Sequence, residues 1–359
     1  LWSPRIRTHL KNVRYVIIDE VHEITDNKRG AQLAIVLERI KRLCGRPQII
    51  LLSATVANAD EVLSFYTGGE GGIVISSVET KRYKFRVEFV EPRVEEKLGV
   101  IVVRPDIRKV VGRIRRIVSK VRGKVIIFTN TRDMAEVLSA YLSKRMRSIG
   151  VHHSSISRDL RVKTERELKI GRLKAVVATS SLELGIDIGG VEHVVQVNSP
   201  RRVEVALQRV GRSGHFIDRV SQGTIITTSV DDFLEALSIS MLAEQGIVEP
   251  VRIIGMCLDV LGHQVVGIVR DYKFDYGRYP SVEEVYEVVK GAYPYRSMSF
   301  DAFVSFCRFL SRRTRIIRMD GNVLRLTRKS IKIYFDNVSM IPHNLSLIHI
   351  SEPTRPRLI

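Results

Sequence analysis

Apolar and polar positions change rhythm several times along the chain. VRYVIID and PQIILLSAT are apolar runs of strand length, and between them GAQLAIVLERIKRL carries apolar residues at helical spacing. A further helix is predicted to open at Asn58, with Glu61 three residues on completing a capping box. Alternation of strands and helices in this order predicts a parallel sheet covered by helices. A second round runs from about Asp106 to Gln245. There IRKVVGRIRRIVSKV puts Ile107, Val110, Ile114, Ile117 and Val121 on one helical face and its Arg and Lys residues on the other, with Gly123 as the stop. Strands follow at KVIIF, KAVVATS, EHVVQV and TIITT, so two similar doubly wound lobes are expected. Beyond Gly246 the pattern turns to helices at shorter spacing and then to RIIRMDGNVLRLT, a hairpin around Asp320 and Gly321. Helices followed by a hairpin fit a winged-helix module, whose Arg312, Arg313, Arg315, Arg318, Arg325, Arg328 and Lys329 form either a solvated charged face or a nucleic-acid contact.

The ends stand apart from this pattern. The first recognisable element is a buried strand, and the chain opens at Leu1 rather than Met, so the N-terminus is expected to be a break inside a domain. After Asn344 the stretch LSLIHISEPTRPRLI loses periodicity and resembles translated sequencing-adapter read-through, so residues 345–359 are expected to be non-native and are left out of the fold. The predicted division is 1–85 for the later part of a first lobe, 86–245 for a second lobe, 246–335 for the winged helix and 336–344 for the start of a further domain.

Charge narrows the partners. Across 359 residues, 58 Lys and Arg face 39 Asp and Glu, a net charge of +19 with a pI near 10. Cations of this number attract a polyanion, because each phosphate contact releases condensed counterions. An anionic membrane is the rival, but no apolar run approaches the roughly 18 to 20 residues that span a bilayer. Nucleic acid is the expected partner. Cys44, Cys257 and Cys307 lie far apart without metal-ligand spacing and read as free, mostly buried thiols of a reducing cytosol.

Asp19 and Glu20 follow the buried run YVII, which places two carboxylates at the C-terminal edge of a parallel sheet, where α/β folds bind ligands. Such a pair suits Mg²⁺ and an attacking water: Asp19 would hold the metal, mainly through its waters, and Glu20 would orient and deprotonate the nucleophile for phosphoryl transfer. Taken alone the pair is a weak signal, with helix capping as its ordinary role. The next strand, however, ends in Ser53, Ala54 and Thr55.

With these residues the sequence resembles the superfamily 2 helicases, whose acidic motif is DExH (here Asp19, Glu20, Val21, His22) and whose next motif is SAT (Ser53, Ala54, Thr55). IIFTNTR resembles the family's fourth motif, ATSSLELGIDIG its fifth and QRVGRSGH its sixth, in the family's order. The wording DEVHEI, SSLELGIDIG and QRVGRSGH resembles the Lhr (large helicase-related) branch in particular, over roughly residues 1–344. The resemblance implies an α/β fold with two RecA-like parallel-sheet lobes, the first truncated, followed by a winged-helix domain. It implies ATP and Mg²⁺ as cofactors, with Asp19, Glu20 and Arg212 catalytic and His22, Gly185, Asp187, Gln208 and Arg209 at the nucleotide. A guanidinium at Arg212 would reach the γ-phosphate as an arginine finger does, while Arg209 would adjoin the nucleotide or bridge to the acidic motif. Ser53, Ala54 and Thr55 would be the coupling residues of the motor, and Thr129, Arg132, His153, Ser154, Arg158 and Thr179 would meet nucleic acid, a structural role being as open for His152 and His153. Where many members carry a third arginine this chain has His215, which leaves that contact unassigned.

The same resemblance implies an ATP-dependent helicase in a prokaryotic cytoplasm or nucleoid. It would translocate 3′ to 5′ on single-stranded DNA and unwind DNA or RNA:DNA duplexes, with links to DNA repair. The sequence holds no GxxxxGK[ST], so the chain by itself is expected not to hydrolyse ATP. The alternative is an ATP-independent binding or annealing protein on a degenerate motor, and a nuclease is a weaker third reading.

Overall fold

The computed structural model describes residues 1–336 apart from Trp2, Thr55 and residues 77–80, 98–99, 184–188 and 215–219, so the expectations for 337–344 and for the 345–359 tail lie outside the described residues. Contacts divide the chain into two units, one formed by Leu1–Ile75 together with the chain from Pro250, the other by Ser76–Glu249.

The first unit begins with α1 (Pro4–Leu10), β1 (Tyr15–Ile18), the single turn α2 (His22–Thr25), α3 (Lys28–Cys44), β2 (Gln48–Leu51) and α4 (Ala59–Thr67). β1 and β2 pair in parallel, Ile18 opposite Leu51. α3 starts where the Asn27 side chain accepts the Arg29 N–H and stops at Gly45, whose φ of +74° only glycine adopts without cost.

In the second unit the elements are β3 (Tyr83–Phe89), β4 (Arg93–Lys97), β5 (Val100–Arg104), α5 (Ile107–Lys120), β6 (Lys124–Thr129), α6 (Arg132–Ser143), β7 (Ile149–His152), α7 (Arg158–Lys169), β8 (Ala175–Ala178), β9 (Val191–Val197), α8 (Val203–Val210), β10 (Ser221–Thr227) and α9 (Val230–Glu244). β4 and β5 form an antiparallel hairpin. The other strands make one sheet in the order β3-β10-β9-β6-β8-β7, parallel throughout. Successive side chains of a strand point to opposite faces, and β6 shows it: Val125 and Ile127 pack with α5 and α6, whereas Ile126 and Phe128 pack with Leu168 and Val210 on the other face. A sheet buried on both faces explains why its strands read as continuous apolar runs.

Here α5 buries Val110, Val111, Ile114 and Val118, with Ile107, Ile117 and Val121 packed at the border. Gly123 is not its stop. The helix ends at Lys120 with Val121 extended, and Gly123 is small for a tertiary reason: a Cβ there would lie 2.8 Å from the Glu192 side chain.

The chain then returns to the first unit with α10 (Leu258–Tyr276), α11 (Val282–Gly291), α12 (Phe300–Phe309), β11 (Ile317–Asp320), β12 (Val323–Leu326) and α13 (Arg328–Asp336). Asp320 pairs with Val323, leaving a two-residue turn at Gly321 and Asn322 with Gly321 at φ +59°, as the sequence predicts. α3 serves two cores: Ala31 and Ile35 pack with α10 to α12 and the hairpin, while Ala34 and Leu37 pack with Ile18, Val62 and Phe65. Arg39, on the same helix, is 3% exposed and spends its guanidinium on Asp271 (2.7 Å), Gln264 (2.8 Å) and Tyr334 (3.2 Å).

Asn58 precedes α4, but its side chain makes no cap bond. It pairs instead with the backbone of Val251, accepting from its N–H (2.8 Å) and donating to its carbonyl (2.9 Å), and it also donates to Glu61 (2.7 Å). Among the described residues no helix is long and apolar enough to cross a membrane.

Candidate functional site

In the first unit the site is built on the ends of two parallel strands. Leu52 donates to Ile18 (2.8 Å) and Val21 donates to Leu52 (3.0 Å), so the backbone ladder carries past β1 and fixes the segment holding Asp19 and Glu20. Asp19 is exposed and Glu20 half-buried, and the Glu20 N–H donates to Asp19 Oδ1 (2.9 Å). Glu20 sits at φ +49°, a conformation that costs a non-glycine residue roughly 1 to 2 kcal/mol and that directs the chain sharply into α2.

His22 is 2% exposed and ties the two strand ends together. Its Nδ1 accepts the Ala54 N–H (3.3 Å) and lies 3.0 Å from Ser53 Oγ. A backbone N–H can only meet a lone pair, so the ring proton belongs on Nε2, which faces Glu20 (3.6 Å) and Glu23 (3.5 Å). Thr25 continues the clamp, donating to Val21 O (2.7 Å) and meeting Tyr66 OH (3.1 Å). The structure therefore brings Asp19, Glu20, His22, Ser53 and Ala54 together, and Thr55 lies outside the described residues.

In the second unit the sequence-predicted residues gather at the C-terminal edge of the six-stranded sheet, at the ends of β6, β7 and β8. Arg132, Ser154 and Arg158 are exposed there, and Arg132 donates to Ser155 (2.9 Å). Thr129 and Thr179 are buried; the Thr129 hydroxyl is committed to Thr131 O (3.0 Å), and the Thr179 N–H donates to His152 O (3.3 Å). The two histidines are buried as well. His152 Nε2–H donates to Glu165 (2.8 Å) and its Nδ1 meets Ser181 (2.7 Å), with burial, opposed by Glu165, lowering its pKa. His153 Nε2–H donates to Glu136 (2.6 Å).

The QRVGRSG segment is held by packing that a sequence reading does not reveal. Arg209, 6% exposed, donates to Glu183 (2.7 Å), Gln196 (2.6 Å) and Asn130 (3.0 Å), and its guanidinium lies 5.3 Å from the centre of the Phe128 ring. One guanidinium thus joins the ends of β6 and β9 to the turn after β8. Gly211 leaves no room for a side chain, since a Cβ would meet Leu207 O at 2.6 Å. Ser213 closes the loop onto β10, accepting the Gln222 N–H (2.9 Å) while Ser221 donates to its carbonyl (2.6 Å). Arg212 donates to the Glu183 carbonyl, Gln208 meets Glu204 (3.5 Å), and burial together with the charge of Arg212 lowers the pKa of the nearby Lys81. Gly185, Asp187 and His215 lie outside the described residues.

Glu183 and Gln196 escaped the sequence reading. The signal for Glu183 was present, because a carboxylate between the apolar residues of SSLELG must find a buried cation. In the hairpin region Arg312, Arg313, Arg315 and Arg328 are exposed, while Arg318 and Arg325 pair with Asp320 (2.6 and 3.0 Å).

Residues 2–62 match the DEAD/DEAH box helicase family and residues 109–216 the helicase conserved C-terminal domain. The chain is 36% identical over 322 residues to "ATP-dependent helicase Lhr-Core protein 2" of Thermococcus barophilus, covering 86% of this chain and 36% of that protein. It is 32% identical to the "ATP-dependent helicase Lhr-Core" of Methanocaldococcus jannaschii, covering 98% of this chain and 41% of the relative. It thus spans about two fifths of the length of these relatives. Among solved structures it resembles the Mycobacterium smegmatis helicase Lhr bound to single-stranded DNA and AMP-PNP, with a TM-score of 0.77 at 31% identity over 92% of this chain and 43% of that one. Its parallel sheets with covering helices resemble RecA-like helicase lobes, and with both helicase sequences, the Lhr-Core relatives and the Lhr structure in agreement, the chain belongs to the Lhr family of DEAD/DEAH-box helicases.

Proposed function

We propose that the chain carries the hydrolytic acid pair and a nucleic-acid-gripping lobe of an ATP-dependent helicase that tracks on single-stranded DNA. The observation that carries the reading is the strand-end cluster: two accessible carboxylates at the C-terminal end of β1, braced by a buried histidine bonded to the end of the next strand. The donor set fits Mg²⁺, a hard cation that takes carboxylate oxygens and keeps much of its water, and Asp19 is the residue that would hold it. When bound, ATP would supply the phosphoryl group and Mg²⁺ would neutralise part of its charge. Glu20 holds the attacking water and takes its proton on a carboxylate oxygen. His22 fixes the loop that presents Glu20 and relays its position to Ser53 and Ala54. Arg212 supplies a guanidinium to the charge that develops on the transferred phosphate.

Grip comes from exposed groups at the edge of the second lobe. Arg132, Ser154 and Arg158 offer donors to phosphates without reading bases. The relative solved with single-stranded DNA and AMP-PNP supports both halves of the proposal. The finer reading is 3′ to 5′ movement, unwinding of DNA and RNA:DNA duplexes in repair, a prokaryotic cytoplasmic or nucleoid setting, and a winged helix formed by α10 to α12 and the β11-β12 hairpin.

The test is ATP hydrolysis by the full-length gene product, with and without single-stranded DNA. Glu20→Gln and Arg212→Ala should each remove most of the stimulated rate while nucleic-acid binding persists. A parent that binds DNA and never hydrolyses ATP would make this a passive binding or annealing protein.

A further inference from the structure

The motif loops use the C-terminal edge of the six-stranded sheet. The opposite edge, where β6, β7 and β8 begin, has a different composition. Lys174 donates through Nζ to Val121 O (2.7 Å) and Arg122 O (2.6 Å), its N–H donates to Ser148 O (2.8 Å), and Lys124 Nζ donates to Lys169 O (2.8 Å). These bonds draw the three segments that enter β6, β7 and β8 onto one small surface, with the starts of β6 and β7 about 10 Å apart across two strand spacings. Around it Arg122, Arg145, Arg147, Arg172, Lys120 and Lys169 are all exposed. Two acidic residues among those described lie at this edge: Glu192, turned to the Gly123 N–H, and Glu167, whose carbonyl accepts the Arg172 N–H (2.9 Å). Among the described residues no ion pair joins Arg122, Arg145, Arg147 or Arg172 to a carboxylate. Like charges gathered in this way repel one another, and a polyanion relieves the repulsion.

We propose that this edge is a second nucleic-acid surface, distinct from the motif edge, that takes the phosphate backbone of a duplex. The partner class rests on the proposed motor function; the place and the duplex preference do not. Guanidiniums recognise phosphate oxygens in bidentate fashion. Single-strand sites add runs of aromatic platforms for unstacked bases; residues 120–124, 144–149 and 169–174 contain no aromatic residue, and the exposed Tyr141 ring, its centre 5.7 Å from Lys144 Nζ, borders them as a single ring. A surface dominated by exposed guanidiniums suits the regularly spaced phosphates on the outside of a duplex, which the motor must hold near the strand it tracks.

Binding of the whole chain to a blunt duplex and to single-stranded DNA is measured by fluorescence anisotropy over a series of salt concentrations. The Arg122→Ala, Arg147→Ala, Arg172→Ala triple variant should weaken duplex binding about tenfold or more and lower the salt slope by about 3, near 0.9 per lost phosphate contact. Single-strand affinity should stay within about twofold, as for ordinary surface changes. The matching triple Arg→Lys variant should keep the salt slope, and an unchanged circular-dichroism melt shows that the lobe is folded. Unchanged duplex affinity and slope would overturn the proposal and leave a solvated face or a protein-docking face. Equal loss on both substrates would also overturn it, placing the edge on the single-strand track. A parent that binds duplex but no single strand would sink the motor reading and leave this surface standing.

Discussion

Removing the Arg209 guanidinium separates a structural role from a nucleotide role. Arg209 and Glu183 each have a side chain 8% exposed, and the guanidinium also satisfies Asn130 and Gln196. In Arg209→Met the stem remains, Glu183 is left as a buried carboxylate without its cation, and two amide oxygens lose a donor. Breaking a buried pair from one side costs about 3 to 5 kcal/mol, because the remaining charge stays desolvated. Glu183→Gln keeps an acceptor and should cost less, about 1.5 to 3 kcal/mol, the range for a lost charged hydrogen bond. The double variant should be more stable than the two single costs added together, by about 0.5 to 3 kcal/mol. Hydrogen exchange of β6 and β9 reports on the lobe itself, alongside urea unfolding followed by circular dichroism. If Arg209→Met changes lobe stability by less than about 1 kcal/mol while abolishing ATP hydrolysis, the packing argument is refuted and Arg209 acts first on the nucleotide.

Other perturbations test the remaining contacts. His22→Phe keeps the buried volume but cannot accept the Ala54 N–H, so it should slow DNA-stimulated ATP hydrolysis and depress unwinding further; equal loss of both would argue against a coupling role. Gly223→Ala should destabilise the second lobe by about 1 to 3 kcal/mol, because its Cβ would meet Val210 Cγ2 at 2.4 Å, and an unchanged melting temperature would contradict this. Burial holds the His263 pKa at about 4, below its ordinary value, so the unfolded chain protonates first and stability falls as pH drops from about 6.5 to about 4, by at most about 3 kcal/mol. His263→Phe should flatten that pH dependence of unfolding.

The elements were legible in the sequence because each has a local cause. β6 and β8 are apolar runs between amphipathic helices, and the β11-β12 turn needs only Gly321 and its neighbour. What escaped is set by partners far along the chain. Asn58 reads as a cap, yet Val251, 193 residues on, takes its side chain. Gly123 reads as a helix stop, yet the Glu192 side chain decides it. Nothing local to the helical run GAQLAIVLERIKRL marks Arg39, and the return of α10 from another part of the chain makes it a buried hub with Asp271. For the same reason the packing of the chain from Pro250 with residues 1–75 has no local signature. The strand-end site was the most legible part, since DEVH and the Ser53-Ala54 pair each follow a strand, but the His22 Nδ1 bonds that join them have no local signature.

The site residues also divide by what they do for the protein. Arg209, His152, Thr129 and Ser213 are buried with their polar atoms engaged, and they fix the loops around them. Asp19 and Ser154 are exposed on those fixed loops, and Arg132 and Arg158 are exposed at the first residues of α6 and α7. In the proposed roles, Asp19 toward a cation and the other three toward phosphate, a group gains most when it need not reorganise during the encounter, so the rigidity of the first set would serve the second. Glu20 stands between them, half-buried and held in a left-handed conformation beside Asp19. Its strain persists because Val21 is anchored to Leu52 on one side and His22 to Ala54 on the other. A change in those anchors would therefore move the carboxylate without touching it.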